Sequence, residues 1–156
     1  MADAPTPEDA AQAGMTITRV FDAPRERVWK EGTEPERFAD WFGGEEAQVP
    51  VSSVSMDVRE GGAWRATMFH EPGRGEIRWH GRFLEVVEPE RLVMTFSDEP
   101  DGDLFELVIV VLTDLGNAQT EMRFEQRGHM SPEQYEAAGR GWSTFFDRMA
   151  RHLGGD

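Results

Sequence analysis

The side chains best suited to proton transfer or metal binding near neutral pH are four histidines, His70, His80, His129 and His152. They stand far apart in the chain, without the short spacings of a zinc site. His70 precedes Glu71 where a turn is expected, a place for a solvated pair. His80 follows Trp79 in an alternating run, so the two should face opposite ways. A second candidate is the acidic stretch Asp98, Glu99, Asp101 and Asp103. It resembles a calcium loop superficially but lacks the EF-hand spacing and its bidentate Glu, and it reads as a solvated hairpin tip. The chain contains no cysteine, which removes disulfides, thiolate nucleophiles and cysteine metal sites. It also lacks a nucleophile elbow and a Gly-rich phosphate loop. No catalytic residue, metal site or cofactor is therefore assigned.

The remaining chemistry is apolar. Trp64, Met68, Trp79, Phe83, Met94, Phe96, Phe105, Phe124, Trp142 and Phe145 are candidates to line a hydrophobic cavity, with the alternative that they fill a core. Trp41 and Phe42 would border an entrance, and Tyr135 would sit near the mouth.

These residues need a helix and a sheet to position them. Residues 131–153 read as one amphipathic helix about 35 Å long at the usual rise per residue. Ser131 is placed as N-cap, Pro132 at the first helical position and Gln134 where a capping box needs it. At helical spacing Tyr135, Ala138, Gly139, Trp142, Phe145, Phe146, Met149 and Leu153 share one face. That face is bulky toward its C-terminal end and thin at Ala138 and Gly139. The thin part either admits a strand backbone or leaves room for a ligand, and Gly61, Gly62 and Gly81 pose the same choice.

The rest of the chain supplies the partner surface. Residues 15–21 alternate as a strand. An elbow of two short helices follows, the second expected to start at Thr33 with Glu36 completing a capping box. From Gln48 the period changes to two, predicting strands over 49–59, 63–70, 76–87, 91–97, 104–113 and 118–127. A bulge is expected near Leu84 or Glu85. The short connections favour an antiparallel meander, giving an α+β protein with one curved sheet around one long helix. In the strand over 104–113, Val108, Val110 and Leu112 lie opposite Phe105, Leu107, Ile109 and Val111. One of these apolar faces must point away from the helix, covered either by neighbouring long side chains or by a second copy in a homodimer.

Several stretches carry a resemblance. They are 19–24 (RVFDAP) with Val28-Trp29, 36–42 (ERFADWF), 61–64 (GGAW), Gly81 with Val86 and 88–92 (EPERL), and Gly141-Trp142. Their order and spacing resemble the helix-grip fold of the START and Bet v 1-like (SRPBCC) superfamily. More narrowly they are similar to the bacterial single-domain type of the family named after the activator of the heat-shock protein 90 ATPase. The resemblance implies a seven-stranded sheet gripping the C-terminal helix, with an apolar cavity between them. It further implies a superfamily of lipid and hormone binders, polyketide cyclases and hydroxylase subunits. ATPase activation belongs to larger relatives with an additional N-terminal domain and is not expected of this chain.

Composition narrows the partners. The length suits one domain over 14–156, and residues 1–13 read as a disordered tail, not a signal peptide. No run approaches the roughly 20 apolar residues of a membrane span. A formal net charge of −14 argues against nucleic acid and anionic membranes. The reading is a cytoplasmic protein that binds a small hydrophobic molecule. The alternatives are a cyclase- or hydrolase-type enzyme in the same cavity, or a protein-interaction, co-chaperone-like module. The enzyme needs a buried acid or base in the lining, and the inward faces predicted here offer hardly any.

Overall fold

The computed structural model describes residues 14–44, 47–70, 75–99 and 104–154. The tail expected over 1–13, turn residues 71–74, and Asp101 and Asp103 of the acidic stretch lie outside the described residues.

The first strand, β1 (Gly14–Phe21), leads into two short helices, α1 (Arg25–Thr33) and α2 (Pro35–Trp41). Strands β2 (Ser55–Met56), β3 (Ala63–Phe69), β4 (Glu76–Val87), β5 (Arg91–Phe96), β6 (Glu106–Gly116) and β7 (Gln119–Arg127) follow, and then the long helix α3 (Pro132–Gly154). The seven strands form an antiparallel sheet in the order β1-β7-β6-β5-β4-β3-β2. This is the α+β helix-grip fold.

Alternation decides which side chains meet the helix. On β3, Trp64, Ala66 and Met68 are buried while Ala63 and Arg65 are exposed. On β7, Thr120, Met122, Phe124 and Gln126 are buried. The expected bulge is present as a register shift between Phe83 and Glu85, which lets β4 curve around the helix. At Gly81 a Cβ would fall 1.8 Å from the Thr95 carbonyl oxygen and 2.7 Å from Trp64 Nε1. Trp64 Nε1 donates to that same carbonyl at 2.9 Å, so close packing requires glycine at position 81.

Two local expectations fail for identifiable reasons. The strand over 49–59 shrinks to β2, because Pro50 has no N–H for a ladder and Ser53 turns back onto it. The Ser53 backbone N–H and hydroxyl both donate to the Pro50 carbonyl, at 2.9 and 2.8 Å, making a short 3-10 turn over Val51–Ser53. Val54, Met56 and Val58 nevertheless face the core as alternation requires. The capping box at Thr33 also does not form. Its hydroxyl donates to the Trp29 carbonyl at 2.9 Å inside α1, and α2 starts after Glu34 with Pro35 in its first turn. The capping box of α3 does form: Ser131 N–H donates to Gln134 Oε1 at 2.8 Å, and Gln134 N–H to Ser131 Oγ at 3.2 Å.

Helix α3 is fixed at its far end by a buried carboxyl. Glu31 of α1 is 0% exposed and lies 3.4 Å from Arg37 and 3.2 Å from His152 Nδ1. His152 Nε2 stands 3.4 Å from Asp40, so the histidine ties α3 to both elbow helices. On β6, Val108, Val110 and Leu112 turn toward the core. On its outer face Ile109 pairs with Glu125 of β7, whose carboxyl is flanked by Arg123 and Arg127. Ile109 and its β5 partner Val93 are thereby buried within the chain itself.

Candidate ligand cavity

The space between α3 and the sheet is divided unequally. Beneath the C-terminal half of the helix, Trp41, Met94, Phe124, Phe146 and Met149 leave about 60 Å³. Phe146 packs 5.1 Å from Phe124 and 5.9 Å from Trp41, ring centre to ring centre. Beneath the N-terminal half the helix carries Ala138 and Gly141, and the space opens to about 540 Å³. A Cβ built on Gly141 would meet nothing within 4 Å. Trp142 borders both volumes and acts as the partition between them.

The apolar lining of the larger cavity is aromatic. Phe42, Met68, Trp79, Phe96, Trp142 and Phe145 surround it. Their rings support one another: Trp142 lies 5.6 Å from Phe96 and 5.4 Å from Phe145, and Phe42 lies 5.6 Å from Phe145. Such contacts hold the rings in place without an occupant.

One side of the wall is polar and tightly connected. Trp142 Nε1 donates to Gln126 Oε1 at 2.8 Å, and Gln126 Nε2 donates to Glu106 Oε1 at 3.1 Å. The same Glu106 oxygen accepts from the Tyr135 hydroxyl at 2.9 Å, while Glu106 Oε2 accepts from the His129 backbone N–H at 3.0 Å. A Cβ on Gly128 would fall 2.0 Å from Glu106 Oε2, so the turn into α3 is folded directly over this carboxyl. Burial, then the hydrogen bond to Glu106, pushes the Tyr135 phenol from 10.0 up to about 12.

Seven of the anticipated lining residues meet around the larger cavity: Met68, Trp79, Phe96, Phe105, Ala138, Trp142 and Phe145. Phe105 does so at the rim, 47% exposed, just before β6 begins. Trp41, Met94 and Phe124 belong to the closed half. Trp64 and Phe83 are buried in the β3–β4 part of the sheet. Tyr135 is buried and contributes its hydroxyl to the polar wall, and Gly139 faces Met15 of β1, 3.6 Å from its Cε. Sequence reasoning missed Glu106, Gln126 and Gly141. The signals were present: Glu106 is the single charge in an otherwise apolar run, and Gln126 continues the inward parity of Thr120, Met122 and Phe124.

The histidines are dispersed. His80 lies on the outer face with its Nε2 2.6 Å from the Glu99 carbonyl oxygen, His129 borders the cavity, and His152 serves the Glu31 anchor. Among the described residues no group of three His, Cys, Asp or Glu is placed to hold a metal ion. Among the described residues no helix is long and apolar enough to cross a membrane.

Comparison with known proteins supports the same architecture. A protein from Chromobacterium violaceum superposes with a TM-score of 0.78 at 24% identity, over 89% of this chain and 96% of that one. An AHSA1 protein from Silicibacter pomeroyi superposes with a TM-score of 0.79 at 19% identity, over 91% and 98%. A protein from Nitrosomonas europaea gives 0.74 at 22% identity, over 90% and 93%. At these identities the likeness is one of fold. No curated protein matches the chain. The pattern of the family described as "Activator of Hsp90 ATPase homolog 1-like protein" matches residues 22–154, and the chain belongs to that family.

Proposed function

We propose that this protein binds a small hydrophobic molecule in the larger cavity, between the sheet and the N-terminal half of α3. The observation that carries the reading is the contrast of about 540 Å³ with about 60 Å³ beneath the two halves of one helix. A fold that seeks only stability fills such space, since packing an interior contributes dispersion and removes apolar surface from water. Here the aromatic rings pack on each other around the space. The size suits a small-molecule pocket, and the lining has the usual mixture of apolar surface with a few placed polar groups. The helix-grip fold is consistent with it. Glu106 is the acid that an enzyme-type reading would need. Its oxygens already accept from Gln126, Tyr135 and His129, a structural commitment that favours a wall over a proton donor.

The test is native mass spectrometry of protein purified without denaturation, alongside an Ala138→Trp variant. An added small-molecule mass is expected on the parent chain and not on the variant, whose circular dichroism should match the parent's. An added mass that persists in the variant would remove the ligand from this cavity.

A further inference from the structure

We propose that the cavity selects a molecule carrying a positively charged nitrogen on an apolar body. This rests on the binding reading above and adds the charge of the ligand. Three carboxyl side chains, Asp98, Glu99 and Glu106, border the cavity, and no Lys or Arg stands among its described lining residues. Three donors in the wall are already engaged: the Trp142 indole N–H with Gln126, the Tyr135 hydroxyl with Glu106, and the Ser97 hydroxyl with the Leu104 carbonyl; the Trp79 indole N–H is buried without a partner. An anionic head group could take the neutral Trp79 indole N–H, but it would meet the like charge of three carboxyl groups with no cationic side chain among the described lining residues, in surroundings less polarisable than water. A cationic head group meets carboxyl oxygens at one side and ring faces at the other.

Those faces add their own attraction. The rings of Trp79, Phe96, Trp142 and Phe145 all border the space, and a cation within about 6 Å of an aromatic centre is drawn to its electron-rich face. The formal charge of −14 over the whole chain draws cations from a distance and repels anions.

The experiment uses three probes of one shape and different charge: naphthylmethylamine, naphthylmethanol and naphthoate. Each is titrated into the full chain at neutral pH and low salt by isothermal calorimetry. The amine should bind about tenfold more tightly than the alcohol, with the carboxylate weakest, and added salt should shrink the spread. The side chains of Asp98 and Glu99 are exposed, so an Asp98→Asn, Glu99→Gln double variant tests charge without disturbing the core. It should reduce the amine's advantage over the alcohol, and Glu106→Gln should reduce it further. Binding of the alcohol with no preference for the amine, or best binding by the carboxylate, overturns the charge inference and leaves the cavity reading standing. An amine preference that survives both variants overturns its assignment to this rim. No binding of any probe overturns both readings.

Discussion

The two halves of α3 face the same sheet and reach opposite outcomes. Toward the C-terminus, Phe146, Met149 and Leu153 are buried and leave almost no space. Toward the N-terminus, Ala138 and Gly141 leave a cavity. The helix is one continuous element across both halves. Side-chain volume at a few helical positions decides whether the same grip makes a core or a container. The closed half supplies stability, through burial worth about 2–3 kcal/mol for each large side chain. The open half forgoes part of that gain.

The largest expected effect breaks the closed half. Phe146→Ala should cost about 3–5 kcal/mol in chemical denaturation, because close-packed neighbours cannot collapse into the void. Next comes the polar wall between the halves. Tyr135→Phe should cost about 1–3 kcal/mol by losing a buried hydrogen bond to a carboxyl group. The same residue makes a pH prediction. Its folded value is raised, so the stabilisation is complete below 10.0 and is lost as pH rises toward about 12. In that window the unfolded chain releases the proton first, and melting temperature should fall with pH. Tyr135→Phe should flatten that fall; an unchanged slope would dissociate it from Tyr135. The smallest effect belongs to the open half. Phe145→Ala, at a half-buried ring beside existing space, should cost only about 1–2 kcal/mol while weakening uptake. If Phe145→Ala and Phe146→Ala prove equally costly by denaturation, the two halves do not differ as described.

Much of this division was legible in the sequence. The capping box at Ser131 and Gln134, the bulge near Glu85 and the thinning at Ala138 follow from local spacing and side-chain size, which do not need the rest of the fold. What escaped depends on three dimensions. Helical periodicity puts Ala138 and Gly139 on one face but does not say which flank meets β1; the structure turns Gly139 to Met15 and brings Gly141, outside that face, to the cavity. Strand parity places Trp64 and Phe124 inward but cannot say whether the sheet there closes on its neighbours. In the sequence Glu106 is a lone charge in an apolar run and Gln126 lies 20 residues on, near the end of another strand, with nothing local to join them. Only the pairing of β6 with β7, which brings Gln126 beside Val108, makes them partners.

The polar wall has a mechanical meaning. Apolar contact is non-directional, so a helix lying on an oily surface has little to stop it sliding along its axis. The chain from Tyr135 through Glu106 and Gln126 to Trp142 joins two points on α3, seven residues apart, to two adjacent strands. It works as a two-pin ruler. A slip of one turn, about 5.4 Å, toward the helix N-terminus would break both pins. It would also carry the bulk of Trp142 into the place of Ala138, where the cavity is. The hydrogen bonds that hold the helix in register thus also hold the container open.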